Sequence, residues 1–112
     1  MTAPDADAAS PDAPVPGGSI GWTFLTNHAH VLLAIARNRD ITLREAAARV
    51  GITERAAQGI VADLVAAGYL VRTRLGRRNS YTIEPHRPLR HPLNAGHDLD
   101  ELLTLLVPIK SP

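Results

Sequence analysis

Two groups of side chains in this sequence have the types and spacing for polar recognition chemistry. The first is Thr53, Glu54, Arg55, Gln58 and Gly59. A guanidinium such as that of Arg55 can donate two hydrogen bonds to guanine O6 and N7, and an amide such as that of Gln58 can pair with adenine N6 and N7. Glu54 can accept from cytosine N4. It can also simply sit at a helix N-terminus, where the macrodipole favours a carboxylate, and that is the preferred reading. Gly59 falls inside an expected helix, where glycine costs about 1 kcal/mol relative to alanine. It either permits close backbone approach to a duplex or reflects neutral drift. The second group is Arg72, Arg74, Arg77 and Arg78, with Asn79 beside them. Between Leu70 and His91 there are six arginines against Glu84 alone. Arginines at a hairpin tip can follow a phosphate backbone or enter a minor groove. Their bland role would be to charge a solvated hairpin and so block edge pairing.

The elements that must position these groups are written between Ile41 and Ile83. Thr42, followed by Glu45, is a capping box that satisfies two orphan backbone N–H groups at a helix start. Gly51 ends that helix, since glycine readily takes the left-handed conformation after a last turn. Thr53 caps a second helix running to about Ala67, which Gly68 stops. Its residues Ala57, Ile60, Val61 and Leu64 recur at i, i+3, i+4 and i+7 and should face a core with Leu43, Ala47 and Val50. Arg55, Gln58, Gly59, Ala62 and Ala66 are then the opposite side, flanked by Glu54 and Asp63. The run YLVRTRLGRRNSYTI reads as a hairpin, with strands near Leu70–Arg74 and Ser80–Ile83 and a turn at Leu75–Asn79. An earlier helix runs from about Thr26 or Asn27 to Arg37, with Val31, Leu32 and Ile35 at helical spacing. The fold class expected is mainly α with a small β-hairpin: a winged helix-turn-helix with a three-helix core, a wing and an extra C-terminal helix.

Around this unit, residues 20–84, the sequence divides simply. Residues 1–19 are Ala, Pro, Asp, Ser and Gly with little else, and they are expected to be disordered. Trp22 and Phe24 should anchor the start of folded structure against the domain edge. Residues 85–97, with Pro85, Pro88 and Pro92, read as an extended connector. Residues 98–112 hold a short helix from Asp98 to about Val107, ended by Pro108. Leu99, Leu102, Leu103 and Leu106 form a stripe along it. That stripe can dock on its own domain or pair two copies, and dimerisation is the expected use, because a two-fold reader suits a palindromic duplex site.

Composition narrows the function classes. The chain has 112 residues and no cysteine, so disulfides and thiolate metal sites are excluded. Net charge is only +1, but residues 1–20 hold three acids and no base, whereas the remainder holds twelve bases and eight acids. Position, not total, is the signal for a polyanionic partner. No apolar run is long enough to span a bilayer and nothing reads as a signal peptide, so a cytoplasmic location is expected, without membrane contact. His28, His30, His86, His91 and His97 match no metal-ligand spacing, and His28 and His30 sit where they could cap a helix or meet a phosphate. No nucleophile motif, P-loop or dinucleotide loop is present, so neither an enzyme nor a cofactor is expected.

The segment TLREAAARVGITERAAQGIVADLVAAGYLVRTRLGRRNSYTI resembles winged-helix transcriptional regulators of the MarR and ArsR type, over roughly Trp22–Ile83. GITERAAQGIVADLVAAGYL looks like their turn, recognition helix and following strand, and GRRNSYTI like their wing. The resemblance implies a homodimeric bacterial regulator that binds double-stranded DNA. Arg55 and Gln58 would read bases, and Arg77 and Arg78 would hold the wing. Similar sequences often carry a larger, frequently basic residue where this chain has Gly59. The chain also lacks the long flanking dimerisation helices of full-length MarR proteins and the paired cysteines of many ArsR proteins. A rival expectation is a winged-helix protein-interaction adaptor that uses the C-terminal leucine stripe as its adhesive surface.

Overall fold

The computed structural model describes residues 21–107; the expected disordered segment 1–19 and the helix stop at Pro108 lie outside them. Three helices come first: α1 (Asn27–Arg37), α2 (Leu43–Val50) and α3 (Glu54–Ala66). A hairpin of β1 (Leu70–Leu75) and β2 (Arg78–Ile83) follows, then a 3-10 turn at Pro92–Asn94 and a last helix, α4 (Leu99–Leu106).

Each helix starts where a side chain can accept from its exposed N–H groups. Thr26 Oγ1 accepts from Ala29 N at 3.2 Å, and Thr53 Oγ1 from Ala56 N at 3.0 Å. Thr42 and Glu45 form the full reciprocal box, with both hydrogen bonds at 3.0 Å. Gly51 closes α2 at φ +89°, and Gly68 follows α3 at φ +86°, both conformations that a Cβ disfavours.

The core is where α1, α2 and α3 meet the hairpin base. Val31, Leu32 and Ile35 of α1 pack with Ala57, Ile60, Val61 and Leu64 of α3. Ala46 and Ala47 of α2 are buried there, while Leu43 and Val50 are partly covered. Leu70, Tyr81 and Ile83 close the floor from the hairpin. Along β1 only Leu70 is buried, so the rest of that strand projects into solvent. The free edge of β2 is partly filled by the α1–α2 loop, where the Tyr81 N–H donates to the Arg39 carbonyl at 3.2 Å.

Three expectations are corrected. Trp22 and Phe24 are not anchors: Phe24 is 91% exposed, and the two rings meet each other edge-to-face with centroids 4.9 Å apart. Aliphatic side chains and two tyrosines already complete the core, and neither ring is part of it. The connector is not extended. Pro88 bridges Asp98, Leu89 N donates to His97 O at 3.0 Å, and the 3-10 turn at Pro92–Asn94 lets the chain double back between them. Proline fixes its own φ without stopping the residues between prolines from reversing direction. Finally, the leucine stripe is not free for a partner along its length. Leu99 is buried at 2% exposure, and Leu102 and Leu103 pack partly against the same core. Asp98 and Glu101 form a second capping box that seats this helix, and Arg37 Nη2 donates to the Leu106 carbonyl at 3.3 Å.

Candidate nucleic-acid interface

Helix α3 turns its apolar stripe inward and leaves an arc from Gln58 through Ala62, Arg55 and Gly59 to Asp63 in solvent. At about 100° per residue these positions are contiguous. Arg55, Gln58 and Gly59 are all exposed, within the first two turns of the helix. A Cβ built on Gly59 meets nothing within 4 Å, so this face is open, and Ala62 and Ala66 beyond it keep it shallow. Thr53 is occupied as the cap, its oxygen accepting from Ala56 N, and Glu54 sits exposed in the first turn.

The helix itself is not basic: Arg55 stands against Glu54 and Asp63. Asp63, however, is not solitary. His28 of α1 places Nε2 2.8 Å from Asp63 Oδ2. Thus His28 neither caps α1, a role Thr26 fills, nor faces outward alone. The link spans 35 residues, a separation at which spacing in the sequence carries no signal.

Cationic charge comes instead from the hairpin and the loops beside it. Leu75 pairs with Arg78 and Arg74 with Asn79, leaving Gly76 and Arg77 as a two-residue turn. The turn is therefore shorter than the sequence suggests, and Arg78 and Asn79 belong to β2. Gly76, at φ +64°, permits the tight reversal. The register divides the arginines between faces. Arg72 and Arg74 share a face with their partners Tyr81 and Asn79, Arg78 shares the other with Leu75, and Arg77 stands at the tip. Arg74 Nε donates to Gly76 O at 3.0 Å, which stiffens the tip, and Arg78 Nη2 reaches the Asp40 carbonyl at 3.5 Å. Arg39, whose own carbonyl holds β2, comes to the wing's outer edge; the sequence showed it only as part of a turn. Arg44 and Arg49 are exposed on α2.

Of the other titratable groups, Glu45 lies near enough to the wing's Arg78 to feel its charge. His97 Nδ1 is 2.7 Å from Glu101 Oε1, and that hydrogen bond raises the imidazole above its ordinary range. The same contact, with the Asp98 backbone N–H, lowers Glu101. His86 Nδ1 lies 3.5 Å from Asp98 Oδ2. His30 is lowered by burial, and Glu45 by its hydrogen bonds with Thr42 in the α2 cap. Among the described residues there is no group of three or more His, Asp or Glu side chains placed to hold a metal ion. Nor is any helix there long and apolar enough to cross a membrane.

A sequence model of the MarR family matches residues 22–78, from Trp22 through all three core helices and β1 to the first residue of β2. The chain belongs to the MarR family. Comparison with curated proteins and with solved structures finds no match. Of the two groups that the sequence resembles, the match is to MarR. MarR proteins are DNA-binding transcription regulators and not enzymes, and the four helices and antiparallel hairpin seen here are a MarR-type winged helix. The connector and α4 lie beyond the residues matched to the MarR family.

Proposed function

We propose that this chain is a sequence-specific regulator of transcription that binds double-stranded DNA as a homodimer in the bacterial cytoplasm. Helix α3 enters the major groove by its N-terminal half. Arg55 donates to guanine and Gln58 pairs with adenine, while Thr53, Glu54 and Gly59 line the approach. Arg72, Arg74, Arg77, Arg78 and Asn79 carry the wing along the flanking phosphates or into the minor groove. One observation carries the reading: an open helix face presenting Arg55 and Gln58 lies in the same fold as a projecting arginine hairpin. The division of labour follows from charge. The helix has one arginine against two carboxylates, so affinity rests on the wing and the loop arginines, and the helix supplies discrimination. Leu99 is buried and Leu102 and Leu103 are partly covered by their own core, which narrows the surface that either an adaptor or a dimer would use. For a dimer, that leaves the outer side of α4, where Leu105 is 78% exposed, with Leu106 beside it.

The test is selection of bound sequences from a random duplex pool at near-physiological salt, followed by titration of the recovered site. Recovery of a two-fold site, with binding lost in Arg55→Ala plus Arg77→Ala while the fold persists, is the expected result. A pool that shows no enrichment and no retardation overturns it.

A further inference from the structure

We infer that Tyr69 and Arg87 are positioning residues for DNA binding, which set the angle of the wing against the recognition helix. The inference rests on the proposed function. The wing joins α3 through Ala67, Gly68 and Tyr69 alone, and Gly68, at φ +86°, breaks the helix there. Beyond Leu70 every residue of β1 is exposed, so that strand is held at its root, while β2 is steadied along its edge by the carbonyls of Arg39 and Asp40. From Gly68 to the tip is eight residues, about 26 Å at the usual strand rise. A tilt of about 10° at the root would move Arg77 by roughly 4–5 Å, more than the length of a hydrogen bond.

The segment after β2 grips this root. Tyr69 is buried, and its hydroxyl donates to the Pro88 carbonyl at 2.6 Å. Arg87 Nε donates to the Gly68 carbonyl at 3.2 Å, and its guanidinium occupies the space that a Cβ on Gly68 would need. Glu84 N donates to Tyr69 O at 2.9 Å. The same segment is fixed at its other side to α4, since Leu99 N donates to the Arg87 carbonyl at 2.9 Å and the Leu99 side chain is buried in the core. Arg87 therefore ties the wing root through its side chain and α4 through its backbone. None of this segment lies within residues 22–78, the part matched to the MarR family.

The experiment is a double-mutant cycle on the selected DNA site, run well below the thermal midpoint of every variant. Tyr69→Phe removes one hydroxyl, Arg87→Ala removes the guanidinium, and each is combined with Arg77→Ala. Each single change is expected to weaken binding by on the order of tenfold and to make the salt dependence shallower. In the Arg77→Ala background each should cost less than it does in the unmodified chain, because one of the side chains they aim is gone. Arg87→Lys, which keeps a donor, should restore part of the loss. A purely structural role predicts losses that add to that of Arg77→Ala, and additive losses overturn the inference while leaving DNA binding intact. If Arg87→Ala does not fold, Tyr69→Phe alone completes the cycle. Absence of binding by the unmodified chain would overturn the functional reading and this inference together.

Discussion

The guanidinium of Arg87 lies where a Cβ on Gly68 would stand, and its Nε donates to the Gly68 carbonyl at 3.2 Å. Glycine at this position thus meets two demands at once: a left-handed φ of +86° and room for a neighbour. Gly68→Ala should lower stability by about 2 kcal/mol, through backbone strain and displacement of the arginine. Chemical denaturation monitored by circular dichroism measures it. A loss under roughly 0.5 kcal/mol would mean that neither the left-handed φ nor the displaced arginine costs stability.

Gly59 is expected to behave in the opposite way. It lies inside α3, and a Cβ there meets nothing within 4 Å. Gly59→Ala should raise stability by about 1 kcal/mol from helix propensity alone. Gly59→Arg should keep most of that gain and also tighten DNA binding, since the new charge joins Arg55 on the exposed arc. Denaturation and titration of the selected site separate the two effects. Unchanged or weaker binding, with the stability gain present, would show that this arc does not face DNA.

The contrast between these glycines shows what could be read from residue order. Thr42 with Glu45, Gly51, Thr53 and Gly68 marked their helix ends correctly because the hydrogen bonds they make close within a few residues. The inward stripe of α3 was legible for the same reason, as a local period. The wing's extent was only partly legible. Whether Asn79 lies in a turn or opposite Arg74 depends on how tightly Gly76 reverses the chain, and the face that each arginine occupies follows from that register. Contacts made over long separations left no trace. His28 with Asp63, Arg39 with Tyr81 and Tyr69 with Pro88 each join residues whose neighbours in sequence give no reason to pair them. The prolines of the connector suggested extension, whereas bridging of Pro88 to Asp98 turns it into the brace that seats α4.

Stability should depend on pH through two histidines of opposite sign. His97 is raised by its hydrogen bond to Glu101. Its contribution is therefore complete below the ordinary imidazole pKa and is lost as pH rises through the higher folded value. His30 is lowered by burial. Its folded form prefers to be neutral, so stability is complete above the ordinary value and falls as pH drops through the lower folded one. Thermal midpoints measured from mildly acidic to mildly alkaline pH should show both slopes. His97→Ala should flatten the alkaline side alone, and His30→Gln the acidic side alone. If His97→Ala leaves the alkaline slope intact, the contact with Glu101 contributes nothing to folding.

Base reading and phosphate holding should separate in titrations. Arg55→Ala should cost about 1–3 kcal/mol at the cognate site and relax preference at one base position, with non-specific binding almost unchanged. Arg77→Ala should weaken cognate and random duplexes alike and make the log–log salt slope shallower by about 0.9 per protomer. If all four wing arginines of both protomers in a dimer meet phosphates, the slope of the unmodified protein is roughly −7. The geometry bears on that figure: Arg72 and Arg74 lie on one face of the hairpin and Arg78 on the other, with Arg77 at the tip. Reaching the full value requires the wing to stand edge-on in a groove, with phosphates on both sides. A slope near half of it would mean that the wing lies flat and uses a single face. A slope near zero would remove the wing from the interface.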